Sequence, residues 1–217
     1  MKKIILAFLS IAFAICILGF SGCLRSENEF IGRAEIQSVV DAAANFDSAR
    51  YVITNLQTGE VQEIFSFYYK EDKTQIWLDE KEFYNEATGV TESSYQYYDG
   101  VNVTDSDGNA AAATYNRDEP YSMSTGVLLF FLPDLVASGT STVTDDGFTV
   151  YTQEYDMERL HEKTNAMAGA VSFKTTYLFD TDGEFLAMTE HIAYENKDPS
   201  DYQIEIIDIN NVTAVSP

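Results

Sequence analysis

The chain of 217 residues is short of several residue types on which function often rests: two cysteines, four prolines, two histidines, one tryptophan and only 13 lysines and arginines. Both cysteines, Cys16 and Cys23, lie near the N-terminus. The remainder therefore has no disulfide and no thiolate metal site, and its fold must rest on a packed core. The histidines are isolated. His161 sits in Leu160-His161-Glu162-Lys163, where a zinc-protease motif needs a second histidine four residues on, and position 165 is Asn165. His191 stands in Glu190-His191-Ile192. Ser122 and Ser124 are not framed by the glycines of a nucleophile elbow. No glycine-rich phosphate loop occurs, and carboxylate pairs are uninformative in a chain with 35 acids. The sequence thus offers no catalytic residues, no metal site and no cofactor motif, and predicts a protein that is not an enzyme. The formal charge of −22 argues against nucleic acid as a partner and against a basic patch docking on anionic lipid.

What is present begins with a targeting segment. Lys2 and Lys3 precede an almost wholly apolar run from Ile4 to Phe20, followed by Ser21-Gly22-Cys23. Positive, apolar, then small is the order of a secretory signal. Phe20-Ser21-Gly22-Cys23 resembles the lipobox of bacterial lipoproteins, with Phe20 where leucine is usual. That resemblance implies cleavage before Cys23, attachment of a diacylglycerol to its thiol and a place on the outer face of the bacterial cell membrane. An uncleaved signal anchor or ordinary secretion are the alternatives, since roughly 17–25 apolar residues can span a bilayer. The expected organisation is a signal peptide over 1–22, a lipidated tether over 23–32 and one extracytoplasmic domain over 33–217. Loss of Lys2 and Lys3 makes the mature chain two charges more negative still.

Within the domain, Ile36, Val39, Val40, Ala43 and Ala44 recur at helical spacing and predict an amphipathic helix over Ala34–Phe46. From Arg50 the period changes to two. Val61, Phe65, Phe67 and Tyr69 alternate with polar residues, Thr74–Leu78 resumes after a turn, and Asp99-Gly100 divides Tyr95–Tyr98 from Val101–Val103 as a hairpin. The dense apolar stretch within Gly126–Ser138, interrupted by Pro133, predicts a short helix, or two pieces of one, buried against the sheet. Phe148–Tyr155 reads as a strand, Asp156–Ala168 as helical or irregular, and Ser172–Phe179, Phe185–Tyr194 and Tyr202–Ile209 as three long strands. Two strand meanders thus flank the apolar block. Asp105-x-Asp107-Gly108 and Asp180-x-Asp182-Gly183 hint at calcium loops, but the glycine comes too early and hairpin turns explain them better.

The expected fold class is α+β: a large, strongly curved antiparallel sheet, a half-barrel, with the N-terminal helix and the central apolar segment on one face. Fourteen tyrosines and fourteen phenylalanines suit either a filled aromatic core or a partly open apolar cavity. Phe65, Phe67, Tyr69, Leu128, Phe131, Tyr177 and Phe179 are the candidate ligand-lining residues of such a cavity. The order of elements, with Tyr97-Tyr98-Asp99-Gly100-Val101-Asn102-Val103 and Phe179-Asp180-Thr181-Asp182-Gly183-Glu184-Phe185-Leu186, resembles the LolA-like lipoprotein carriers and the mycobacterial LppX/LprG group. The resemblance implies a half-barrel plugged by helices, an acyl-chain or glycolipid ligand and no catalytic residues. Expected partners are the membrane through Cys23, a lipid-like ligand, or, for a filled-core accessory or sensor, another protein.

Overall fold

The computed structural model describes residues 30–85, 88–121, 131–163 and 169–217. Cys23, Leu128 and the signal segment lie outside these. Helix α1 (Arg33–Ala43) is followed by strands β1 (Ser48–Asn55), β2 (Val61–Tyr69), β3 (Gln75–Asn85), β4 (Val90–Tyr98), β5 (Asn102–Asp105) and β6 (Ala110–Ala112). A 3-10 turn (Pro133–Leu135) leads into β7 (Val136–Val143) and β8 (Thr149–Tyr155), then helix α2 (Met157–Lys163), β9 (Ala170–Phe179), β10 (Phe185–Tyr194) and β11 (Ser200–Ile207).

The eleven strands form one antiparallel sheet in the order β6-β5-β4-β3-β2-β1-β11-β10-β9-β8-β7. The fold is α+β with a curved, unclosed sheet. Each half is a meander of hairpins, and the halves meet where β1 pairs with β11, from Arg50 opposite Ile207 to Asn55 opposite Tyr202. Strands β6 and β7 are consecutive yet occupy opposite edges. The chain that leaves β6 at one edge therefore enters β7 at the other, and its described parts, residues 113–121 and 131–135, form the crossing. Ala113, Tyr115, Tyr121, Phe131, Leu132 and Leu135 of that crossing pack on the core.

Register places the main core cluster on one face, which we call the inner face. Ala49, Phe67, Trp77 and Tyr98 stand side by side across β1–β4, and Tyr51, Phe65 and Asp79 form the next level. Across the seam, Ile53, Ile204, Met188, Tyr177 and Tyr151 continue a third. Because side chains alternate between faces, one register error would invert all of these. Phe65, Trp77, Tyr98, Tyr115 and Tyr121 interlock, with the Trp77 and Tyr121 rings stacked at 3.8 Å. Burial of each large apolar side chain contributes roughly 1.5–3 kcal/mol, and this cluster fills the sheet beneath the crossing chain.

Two expectations need correction. The helix ends at Ala43, short of Phe46, and the apolar block is helical only at Pro133–Leu135 among its described residues; from Val136 it is strand. The proline begins the turn, and the small β-compatible residues after it pair with β8 instead of continuing a helix.

Candidate functional site

The site is a groove between α1 and the inner face of the second meander. Ile36, fully buried, anchors the helix, with Val39, Val40 and Ala43 packed beside it. Ala34, Ser38 and Ala42 line the groove at four-residue spacing, so one ridge of the helix carries only small side chains. That ridge stands off from a floor of Tyr151, Phe179, Phe185 and Ile206, supplied by four successive strands. Tyr151 meets Phe179 edge-on at 5.6 Å, and Phe179 meets Phe185 likewise at 5.9 Å. Phe46 and Ile209 extend the apolar lining. The groove has a volume of about 700 Å³ and is open along one side, within the range of small-molecule sites.

Gly32 sets the helix down in this position. It precedes α1 with φ +86°, and a Cβ there would lie 2.4 Å from Cδ1 of Tyr151. Only glycine gives both the left-handed backbone and the close approach to the groove floor.

The charged groups lining the groove are Glu35, on the helix, and Glu184, on the turn between β9 and β10. Both are exposed, which places them at the rim. Burial, and then the hydrogen-bonded carboxylate of Glu35, push the Tyr151 hydroxyl above its ordinary pKa. Ser38 and Thr149 add hydroxyls to the lining.

Two other polar clusters occupy the inner face. Glu63, Asp79 and Lys81 share one, with Lys81 Nζ 3.2 Å from Glu63 Oε1 and 3.4 Å from Asp79 Oδ2. Burial, then the neighbouring Asp79, raises Glu63 to about 7. Tyr121 fastens the crossing chain over them: its N–H donates to Gln75 Oε1 at 2.7 Å and its hydroxyl to Asp79 Oδ2 at 3.3 Å. In the second cluster Gln153, Thr175 and Glu190 stand opposite one another on β8, β9 and β10. The Tyr155 hydroxyl donates to Gln153 Oε1, and burial raises Glu190 to about 7.

Of the residues singled out from sequence, Phe179 lines the groove. Phe65, Phe67, Phe131 and Tyr177 are buried within the core, and Tyr69 packs against Phe67 under the Arg117 guanidinium. The helix was expected on this face of the sheet, but its small residues were not among the expected lining. Their signal was the Ala34, Ser38, Ala42 spacing, hidden by the stronger stripe of Ile36, Val40 and Ala43. His161 is exposed on α2, and His191 pairs with Asp201, which Gln57 also holds. Asp105 and Asp180 each accept backbone N–H groups from their own turns, as does Asp99. These are the expected turn roles. Among the described residues, no group of three or more histidine, cysteine or acidic side chains is placed to hold a metal ion.

No family model and no curated protein matches the chain. Solved structures similar to it include LprF from Mycobacterium bovis, at 11% identity and TM-score 0.49, over 85% of this chain and 95% of that one. Another is the Mycobacterium tuberculosis lipoprotein LppX, at 15% identity and TM-score 0.45, over 84% and 97%.

Proposed function

We propose that the protein is a non-catalytic binding module that shelters an apolar, lipid-like molecule, held at the outer face of a bacterial membrane by an acylated Cys23. The groove under α1 carries this reading. Its floor is aromatic and aliphatic, its helical wall combines Ala34, Ser38 and Ala42 with Val39 and Glu35, and its volume of about 700 Å³ lies in the size range of small-molecule sites. The anchor reading rests on the signal-like N-terminus and on Ser21-Gly22 before Cys23. Two acyl chains on one thiol give stable attachment, and attachment by hydrocarbon suits a chain too acidic to dock on anionic headgroups.

The test is extraction of the purified domain into organic solvent with mass spectrometry, together with titration by an uncharged solvent-sensitive dye. Co-purifying lipid is expected, or saturable dye binding that is lost when a bulky side chain fills the groove, as in Ala42→Trp. A protein that is clean and takes up no dye refutes the ligand reading. For the anchor, Cys23→Ala is expected to release the protein from membranes and to abolish incorporation of labelled fatty acid.

A second reading is favoured by the filled packing of Phe65, Trp77, Tyr98, Tyr115 and Tyr121: an accessory or sensor that acts through a protein partner. Crosslinking on intact cells distinguishes it, because a specific adduct is then recovered without any bound lipid.

A further inference from the structure

We infer that the groove selects an amphiphile with a cationic headgroup and rejects free fatty acids. This rests on the binding reading above and adds the chemistry of the ligand's polar end. The floor of Tyr151, Phe179, Phe185 and Ile206 takes hydrocarbon, so the headgroup must emerge at the rim. There it meets Glu35 from one wall and Glu184 from the other, and among the described residues no lysine, arginine or histidine lines the groove.

The two acids are held by different elements. Glu35 lies in the first turn of α1 and is hydrogen-bonded to the Tyr151 hydroxyl. Glu184 is carried by the β9–β10 turn, where its backbone N–H donates to Asp180 Oδ1 at 2.9 Å. A headgroup at this rim therefore meets acidic side chains and, among the described residues, no cation from the lining. A carboxylate or phosphate placed there is disfavoured and an ammonium favoured, while the hydroxyls of Ser38 and Thr149 serve either kind of headgroup. The formal charge of −22 adds a long-range field of the same sign. The rim is exposed, so salt screens the preference without removing the hydrophobic contribution of the tail.

The experiment uses the chain from Phe30 onward, which contains every element and the whole core described above. Dodecylamine, monolauroylglycerol and laurate, all below micelle formation, compete for the groove with an uncharged dye. The expected order is amine, then glycerol ester, then laurate, with about tenfold between the extremes at low salt and about threefold or less at roughly 0.5 M salt. Glu35→Gln with Glu184→Gln is expected to compress the order while keeping binding of the glycerol ester. Glu158→Gln with Glu162→Gln, the same charge change on exposed α2 positions away from the groove, is expected to leave the order intact. Equal affinity for amine and laurate, or equal loss of preference in both double variants, overturns the headgroup inference while leaving the binding module standing. Failure of all three lipids and of the dye overturns the binding reading itself.

Discussion

Single residues carry two kinds of stress. At Gly32 it is conformational: an alanine there would have to keep φ near +86° and overlap the Tyr151 ring. Left-handed backbone alone costs roughly 1–2 kcal/mol, and the clash adds to it, so Gly32→Ala should lose about 2–3 kcal/mol in urea unfolding. Gly59, at φ +75° with nothing within 4 Å of a Cβ, separates the two contributions; Gly59→Ala should show the backbone cost only. Equal losses would mean that Tyr151 simply moves aside. The other stress is electrostatic. Glu63 and Glu190 are both raised from 4.5 to about 7, chiefly by burial. A raised acid binds its proton more tightly folded than unfolded, so the stability these two groups contribute is fully present below about pH 4.5, falls as pH rises towards 7, and levels above that. While Glu63 keeps its proton, the Lys81 ammonium beside it faces the Asp79 carboxylate; once Glu63 ionises, a second negative charge is buried in the same cluster. Glu63→Gln with Glu190→Gln should therefore flatten the decline between about pH 5 and 8 and stabilise the protein at about pH 8 by on the order of 2 kcal/mol. Asp72, Asp99 and Asp105, lowered chiefly by hydrogen bonds within their own turns, titrate below this window and leave it clear. A wild-type protein equally stable at both pH values would remove the argument.

At the scale of elements, legibility followed the strength of the pattern. β2, β8, β9 and β10 alternate cleanly or are bounded by Asp-Gly turns, and their residues alone mark them out closely. β7 escaped because Val-Ala-Ser-Gly-Thr-Ser-Thr-Val has neither apolar alternation nor bulk; its strand character comes from pairing with β8 and not from its own residues. β6, three alanines, escaped for the same reason. The groove was legible only as aromatic residues on a sheet. Which aromatics stay uncovered depends on where the crossing chain and α1 lie, and that is set by contacts distant in sequence. Among the described residues the same strand β7 is an edge with no charged side chain and is largely exposed along its length, where β6 at the other edge is too short to template a partner. Thr140, exposed and opposite Thr152, is the place to blunt it. Thr140→Lys should lower concentration-dependent light scattering on warming and leave the unfolding free energy within about 0.5 kcal/mol. Unchanged scattering would place the aggregating surface elsewhere.

For the whole molecule the decisive feature is the seam. Within the sheet, the two meanders are joined only where β1 pairs with β11. Hydrogen bonds along one strand pair are a narrow link, but the inner-face core runs across it: Ile204 stands opposite Ile53 on one side and Met188 on the other. The crossing chain binds both halves again from above, through Tyr115 and Tyr121 near β3 and Leu135 next to β7. A core shared in this way should make unfolding a single event. Trp77, the one tryptophan, lies on β3 and reports on the first meander, whereas amide exchange along β9 and β10 reports on the second. Ile204 is 4% exposed, and Ile204→Ala should cost about 2–4 kcal/mol. If the seam couples the halves, Trp77 fluorescence and β9–β10 exchange lose that amount together, although β2 and β1 stand between Trp77 and the substituted strand. If Trp77 keeps its midpoint while β9 and β10 open, the meanders are separate cooperative units, and a groove resting on the second would then open and close without disturbing the aromatic cluster beneath the first.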